Sequence, residues 1–153
     1  MTRAYVGLGA NLGDREGAIR AALAVLDARP DVAVVAVSTL LETDPVGYLD
    51  QPPFLNGAAA LETDLAPREL LDALLEVERE LGRVRGEGPR YGPRPIDLDL
   101  LLHGDLVLDE PGLVVPHPRL HERLFALEPL AELEPALVVP GRGAVKDLIA
   151  RLE

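Results

Sequence analysis

The chain has 153 residues, 48% of them hydrophobic and only 3% aromatic, with a formal net charge of −11. That length buries one sizeable core, built from Leu, Val and Ala, and the acidic balance excludes a general nucleic-acid or anionic-membrane binder. The absence of cysteine excludes a disulfide scaffold and thiol chemistry. The opening "MTRAYVGLGANLGD" has no long apolar h-region and no apolar run reaches membrane-spanning length, so a soluble cytoplasmic protein with a single domain over residues 1–153 is expected.

In chain order, "AYVGLGA" predicts a strand and "NLGD" a turn with Asp14 as helix N-cap. Ile19, Ala22, Leu23 and Leu26 then recur at helical spacing, and Pro30 ends the helix. "DVAVVAVSTLLET" is β-branched and predicts one strand of about ten residues. After the Pro/Gly loop "DPVGYLDQPP", "FLNGAAALET" alternates as a third strand. Pro67 opens a second helix with Leu70, Leu74, Val77 and Leu81 as its buried stripe, and Gly82 closes it. "RVRGEGPRYGPRP" is a long loop rich in Gly, Pro and Arg, followed by a fourth strand, "IDLDLLLHG". An irregular "DEPGLVVPHP", a helix from Arg119 to Leu133 and a small terminal strand and helix complete the chain. The order β-α-β-β-α-β predicts an α+β fold, a ferredoxin-like sandwich with helices on one sheet face and C-terminal additions.

Two motifs invite chemistry. "GLGANLG" suggests dinucleotide binding, but Leu12 stands where the third glycine of that fingerprint belongs, and the chain order is wrong for a doubly wound sheet. A tight strand-to-helix turn is the better reading. The second motif is Asp97-x-Asp99. Residues i and i+2 of a strand share a face, leaving Ile96, Leu98 and Leu100 to fill the other. Two carboxylates held roughly 6–7 Å apart repel unless something positive lies between them. Mg²⁺ suits that gap, since it takes one or two carboxylates and accepts phosphate oxygens and water for the rest. The bland alternative is the solvated face of an amphipathic strand. An arginine cluster, Arg79, Arg83, Arg85, Arg90 and Arg94, directly precedes the pair in a chain with a single lysine, Lys146. A cation with several guanidinium forks is what triphosphate binding needs.

"RYGPRPIDLDLLLHG" resembles the signature of the 6-hydroxymethyl-7,8-dihydropterin pyrophosphokinase family. "YVGLGANLGD", "DQPPFLNGAAALET", "ELGRVR" and "VPHPRLHER" are similar to further segments of that family, in its order and over nearly the whole chain. The resemblance implies transfer of the β,γ-diphosphate of ATP to the pterin hydroxymethyl group, releasing AMP, in folate biosynthesis. It implies that Asp97 and Asp99 hold two Mg²⁺ ions, and that Arg83, Arg85 and Arg94 contact the phosphates or close over them. Glu78, Arg94, Leu100, His117 and Arg123 fall on the nucleotide side, and Thr43, Val46, Phe54, Asn56, Tyr91 and Phe125 on the pterin side. Two rings, Phe54 and Phe125, suit a flat heteroaromatic by offset stacking worth about 1 kcal/mol per pair, and Asn56 can both donate to and accept from its amide edge. The chain departs from the family at Tyr91, commonly tryptophan, at Phe54, where tyrosine is frequent, at Gly112 and Val114, where an arginine and a threonine are expected, and at Pro118, which replaces an aromatic; "DPV" after Thr43 departs from a Pro-Pro pattern and leaves Asp44 unexplained. Small-molecule substrates are the implied partners, with no nucleic acid or membrane, and a monomer is expected. Two other classes fit the residues less fully: a ligand-sensing module without chemistry, and a Mg²⁺-dependent phosphohydrolase.

Overall fold

The computed structural model describes residues 1–44, 52–82 and 95–153. The first strand, β1 (Thr2–Ala10), leads through a turn with Gly13 at φ 60° into helix α1 (Arg15–Asp27). The Asp14 carboxylate accepts from the Gly17 amide at 3.0 Å, satisfying one of the helix's orphan donors as its N-cap. Next come β2 (Val32–Val37), β3 (Leu41–Thr43) and the ten-residue β4 (Phe54–Thr63). Helix α2 (Pro67–Glu80) starts on its proline and buries Leu70, Ala73, Leu74 and Val77; Gly82 follows at φ 94°. Then β5 (Asp97–His103), a hairpin of β6 (Leu108–Glu110) and β7 (Leu113–Val115), helix α3 (Leu124–Leu133), a short β8 (Val138–Val139) and β9 (Gly143–Ala144) pair, and α4 (Val145–Leu152) complete the described order.

The main sheet runs β2-β4-β1-β5, with β3 also pairing β4, and every pairing is antiparallel. It is an α+β fold. Pleat alternation gives the central strands two different faces. On one, Val6, Leu8, Ala59, Leu61, Leu98 and Leu100 pack with Ile19, Ala22 and Leu26 of α1 and Leu70, Leu74 and Val77 of α2. On the other, Tyr5, Ala58, Ala60 and Leu102 pack with Leu127 and Leu130 of α3 and Leu148 of α4. Helices therefore cover both faces, not one as expected from the element order. The second apolar row needed its own cover, and the C-terminal quarter of the chain supplies it.

Three further expectations are corrected. The long β-branched segment is two strands rather than one: β2 ends at Val37, and the Ser38 hydroxyl steps into the ladder by accepting from the Ala58 amide at 2.9 Å. Gly57 makes room for that step, since a Cβ there would lie 2.6 Å from Leu40 Cδ2. The "irregular" stretch is the β6–β7 hairpin, turned by Pro111 and Gly112 with the glycine at φ 76°; proline followed by a positive-φ glycine is type II turn chemistry. The helix expected from Arg119 is interrupted. A 3₁₀ turn (Leu120–Glu122) ends at Arg123, whose extended backbone (φ −123°, ψ 100°) separates it from α3. Glu132 fastens α3 to the sheet edge by accepting from the Thr39 amide at 2.8 Å.

Candidate active site

Among the described residues, the second face of the sheet is packed under α3 and α4 towards one end and opens into a cavity towards the other. Strand register places Asn56 of β4, Gly9 of β1 and Asp97 of β5 side by side, with Ala58, Gly7 and Asp99 as the next row. Asn56, Gly9, Asp97, Gly7 and Asp99 of these rows floor a cavity of about 260 Å³. Gly7 and Gly9 lie within a strand, so positive φ is not what they provide. They leave the floor empty between the amide and the carboxylates: a Cβ on Gly9 would lie 3.0 Å from Asn56 Oδ1 and 3.8 Å from Asp97 Cβ. The turn reading of "GLGANLG" thus holds for Gly13, while its first two glycines belong to the site. Sequence reasoning missed that role, although two glycines at i and i+2 have the same parity as Asp-x-Asp.

Asp97 and Asp99 are half-buried on one face, and Ile96, Leu98 and Leu100 are buried on the other. Between the two aspartates, the Leu98 amide donates to the carboxylate of buried Glu78 at 2.7 Å, which ties the outer edge of β5 to α2. At the opposite end, Thr43 pairs with Phe54 across β3 and β4, and the Asn56 amide donates to the Thr43 hydroxyl. Phe54, Asn56, Thr43 and Phe125 all line the cavity, as do His117 and Arg123. Both phenylalanines are half-buried at its wall rather than sealed in the core. The extended Arg123 places its guanidinium over the Phe125 ring, 5.5 Å from the centroid, a cation–π geometry. Asp44, unexplained by the sequence, stands exposed at the rim.

His117 is carried to the site by an irregularity in β5. Leu101 is the extra residue of a bulge against β1, and its carbonyl accepts from the His117 amide at 2.9 Å. The imidazole Nδ1 in turn accepts from the Arg119 amide at 3.2 Å. Burial, with Arg123 nearby, pushes its pKa down to about 4 against the raising effect of Asp97, so the ring is neutral at neutral pH. With Nδ1 accepting, the proton belongs on Nε2.

Of the residues the sequence singled out, Asp97, Asp99, His117, Arg123, Thr43, Phe54, Asn56 and Phe125 are brought together. Glu78 and Leu100 are buried beneath the Asp97/Asp99 face of β5 and do not line the cavity. Gly112 and Val114 sit in the β6–β7 hairpin, also away from it. Val46, Arg83, Arg85, Tyr91 and Arg94 lie outside the described residues. Among the described residues, no helix is long and apolar enough to cross a membrane.

A compact concave site with a ring-and-amide wall at one end and paired carboxylates at the other is built for a small molecule rather than a polymer. Residues 5–135 match the family model described as 7,8-dihydro-6-hydroxymethylpterin-pyrophosphokinase. The 2-amino-4-hydroxy-6-hydroxymethyldihydropteridine pyrophosphokinase of Pseudomonas aeruginosa is 49% identical over 148 residues, 97% of this chain and 90% of that one. The protein of the same name from Bacillus subtilis is 51% identical over 130 residues, 85% of this chain and 77% of that one. A mitochondrial folate synthesis bifunctional protein of Arabidopsis thaliana is 45% identical over 128 residues, 84% of this chain and 23% of that one. The chain is an enzyme of the diphosphotransferase class. It belongs to the 7,8-dihydro-6-hydroxymethylpterin-pyrophosphokinase family.

Proposed function

We propose that this enzyme transfers the β,γ-diphosphate of ATP to the hydroxymethyl oxygen of 6-hydroxymethyl-7,8-dihydropterin, giving AMP and the pterin diphosphate, in folate biosynthesis. The observation that carries this reading is the cross-strand row Asn56–Gly9–Asp97. It sets an amide suited to a pterin edge beside a carboxylate suited to a phosphate-bound cation, with no side chain between them. In the reaction the hydroxymethyl oxygen bonds to the β-phosphorus, the bond from that phosphorus to the oxygen bridging to the α-phosphate breaks, and the hydroxyl proton is released. Phe54 and Phe125 would hold the pterin plane, and Asn56, oriented by Thr43, its polar edge. Neutral His117 would offer Nε2–H to a phosphate oxygen, with Arg123 adding charge. Glu78 would act from below by steadying the backbone between Asp97 and Asp99. Arg83, Arg85 and Arg94 would bind the phosphates, and Val46 and Tyr91 would complete the pterin side. Positioning and charge stabilisation, rather than a strong base, would supply most of the rate.

Among the described residues, no group of three or more His, Cys, Asp or Glu could hold a metal. The donor set of two carboxylates fits Mg²⁺, which completes its octahedron with water and substrate phosphates, better than a metal needing a full protein cage. Asp97 and Asp99 would hold it, two ions by family resemblance, and it would neutralise developing charge on the phosphates.

The architecture is best described as ferredoxin-like with C-terminal additions; the order β2-β4-β1-β5, with α1 and α2 on one face, supports this. One chain supplies both ends of the cavity, which supports a single catalytic domain working as a monomer. The test is to incubate the protein with ATP and Mg²⁺, with and without the reduced pterin. AMP formed one-for-one with pterin diphosphate, and only with pterin present, is expected. Phosphate or diphosphate release without pterin would indicate a hydrolase, and binding without turnover a sensor.

A further inference from the structure

Arg15 occupies the first position of α1, where a cation opposes the helix macrodipole. A side chain that breaks a local rule points to a tertiary reason. Its Nη1 donates to the Pro53 carbonyl at 3.0 Å and its Nη2 to Glu42 Oε1 at 2.6 Å. Glu42 immediately precedes Thr43, and Pro53 immediately precedes Phe54. Thr43 and Phe54 are the terminal pair of the β3–β4 ladder, and both line the cavity. One guanidinium therefore bridges the two strands at their last pair, holding β3 at Glu42, one residue inside it, and the chain entering β4 at Pro53, one residue outside it.

The ladder cannot do this for itself. Strand β3 is only three residues long, with Leu41 55% exposed, so little buried surface holds it. Pro52 and Pro53 have no N–H with which to extend the ladder, and their carbonyls take donors from the β1–α1 turn and the first residue of α1 instead. Asn11, 2% exposed, donates to the Pro52 carbonyl at 3.0 Å, beside the Arg15 bond to Pro53. The Asp14 cap fixes the first turn of α1 from which Arg15 projects.

We propose that Arg15 is a positioning residue for the pterin wall, acting through Glu42 and Pro53 to set the separation of Thr43 and Phe54 without touching substrate. This rests on the pterin assignment made above. The test is steady-state kinetics of Arg15→Ala, Arg15→Lys, Glu42→Gln and the Arg15→Ala/Glu42→Gln double variant, with each substrate varied in turn. Arg15→Ala is expected to raise KM for the pterin about five- to tenfold while kcat and KM for ATP change by less than about twofold. Arg15→Lys keeps the charge but not the fork, and recovers part of the loss. The double variant is expected to be no worse than Arg15→Ala alone, since both remove one bridge. A folded Arg15→Ala with unchanged pterin KM, or one in which kcat and both KM values move together, overturns the proposal. Failure of the unaltered chain to turn over the pterin would overturn the functional assignment and this proposal with it. Turnover by the unaltered chain that the variants match would overturn this proposal alone.

Discussion

The two faces of β5 carry opposite tasks on adjacent residues. Leu98 and Leu100 are buried against α1 and α2, whereas Asp97 and Asp99, one residue away in sequence, face a cavity. The same division runs through β1, with Val6 and Leu8 inward and Gly7 and Gly9 in the cavity floor. A strand anchored by one row of aliphatics can hold repelling carboxylates or empty space on its other side without losing its place. Stability and chemistry are thereby separable at single-residue resolution, and the variants that follow would break or sharpen that separation.

The largest expected effect is on chemistry alone. Asp97→Ala or Asp99→Ala should lower pterin-dependent AMP formation by about 10³-fold. The thermal midpoint should stay within a few degrees, as measured by calorimetry or circular dichroism. Near-normal Mg²⁺-dependent turnover in either variant would sink the carboxylate assignment. The converse variant, Leu98→Ala, removes a side chain that is 2% exposed. It should cost about 3 kcal/mol in denaturant unfolding, with turnover per folded molecule largely retained. Equal loss of stability from Asp97→Ala and Leu98→Ala would show that the two faces are not independent.

His117 lies on the chemical side yet leaves a mark on stability. Its folded pKa of about 4 lies below its ordinary 6.5, so between those values the unfolded chain binds more protons. Stability therefore rises with pH through this window and falls on acidification from pH 6.5 towards 4. The contribution is on the order of 3 kcal/mol. Comparing unfolding of the parent and His117→Asn at pH 4, 5 and 7 isolates it, and identical pH profiles would refute the assigned burial. The smallest effect concerns Gly9→Ala. The added methyl, 3.0 Å from Asn56 Oδ1, should raise the pterin KM about tenfold with little change in melting. Unchanged binding would mean that the ligand does not cross the floor at Gly9.

Much of this is legible in the sequence alone. The i, i+2 aspartates, the matching aliphatic row, the Asp14 cap, the Pro67 start and the full extent of β4 follow from periodicity and local backbone chemistry, which act over a few residues. The elements misread were those decided by contacts distant in sequence. Ser38 breaks the long β-branched run because Ala58, twenty residues on, offers its amide. Arg123 interrupts a helix-forming stretch, and its guanidinium lies over Phe125 at the cavity.

What the sequence determined by itself is the chemistry available: two carboxylates on one strand face, an amide and two rings, and an α+β alternation to hold them. Only the tertiary structure decided that Gly7 and Gly9 lie between these groups, that the Leu101 bulge delivers His117, and that Glu78 braces the carboxylate strand from beneath. The physical reason is that residue type and spacing determine which side a residue faces, whereas strand order and register determine which residues meet there.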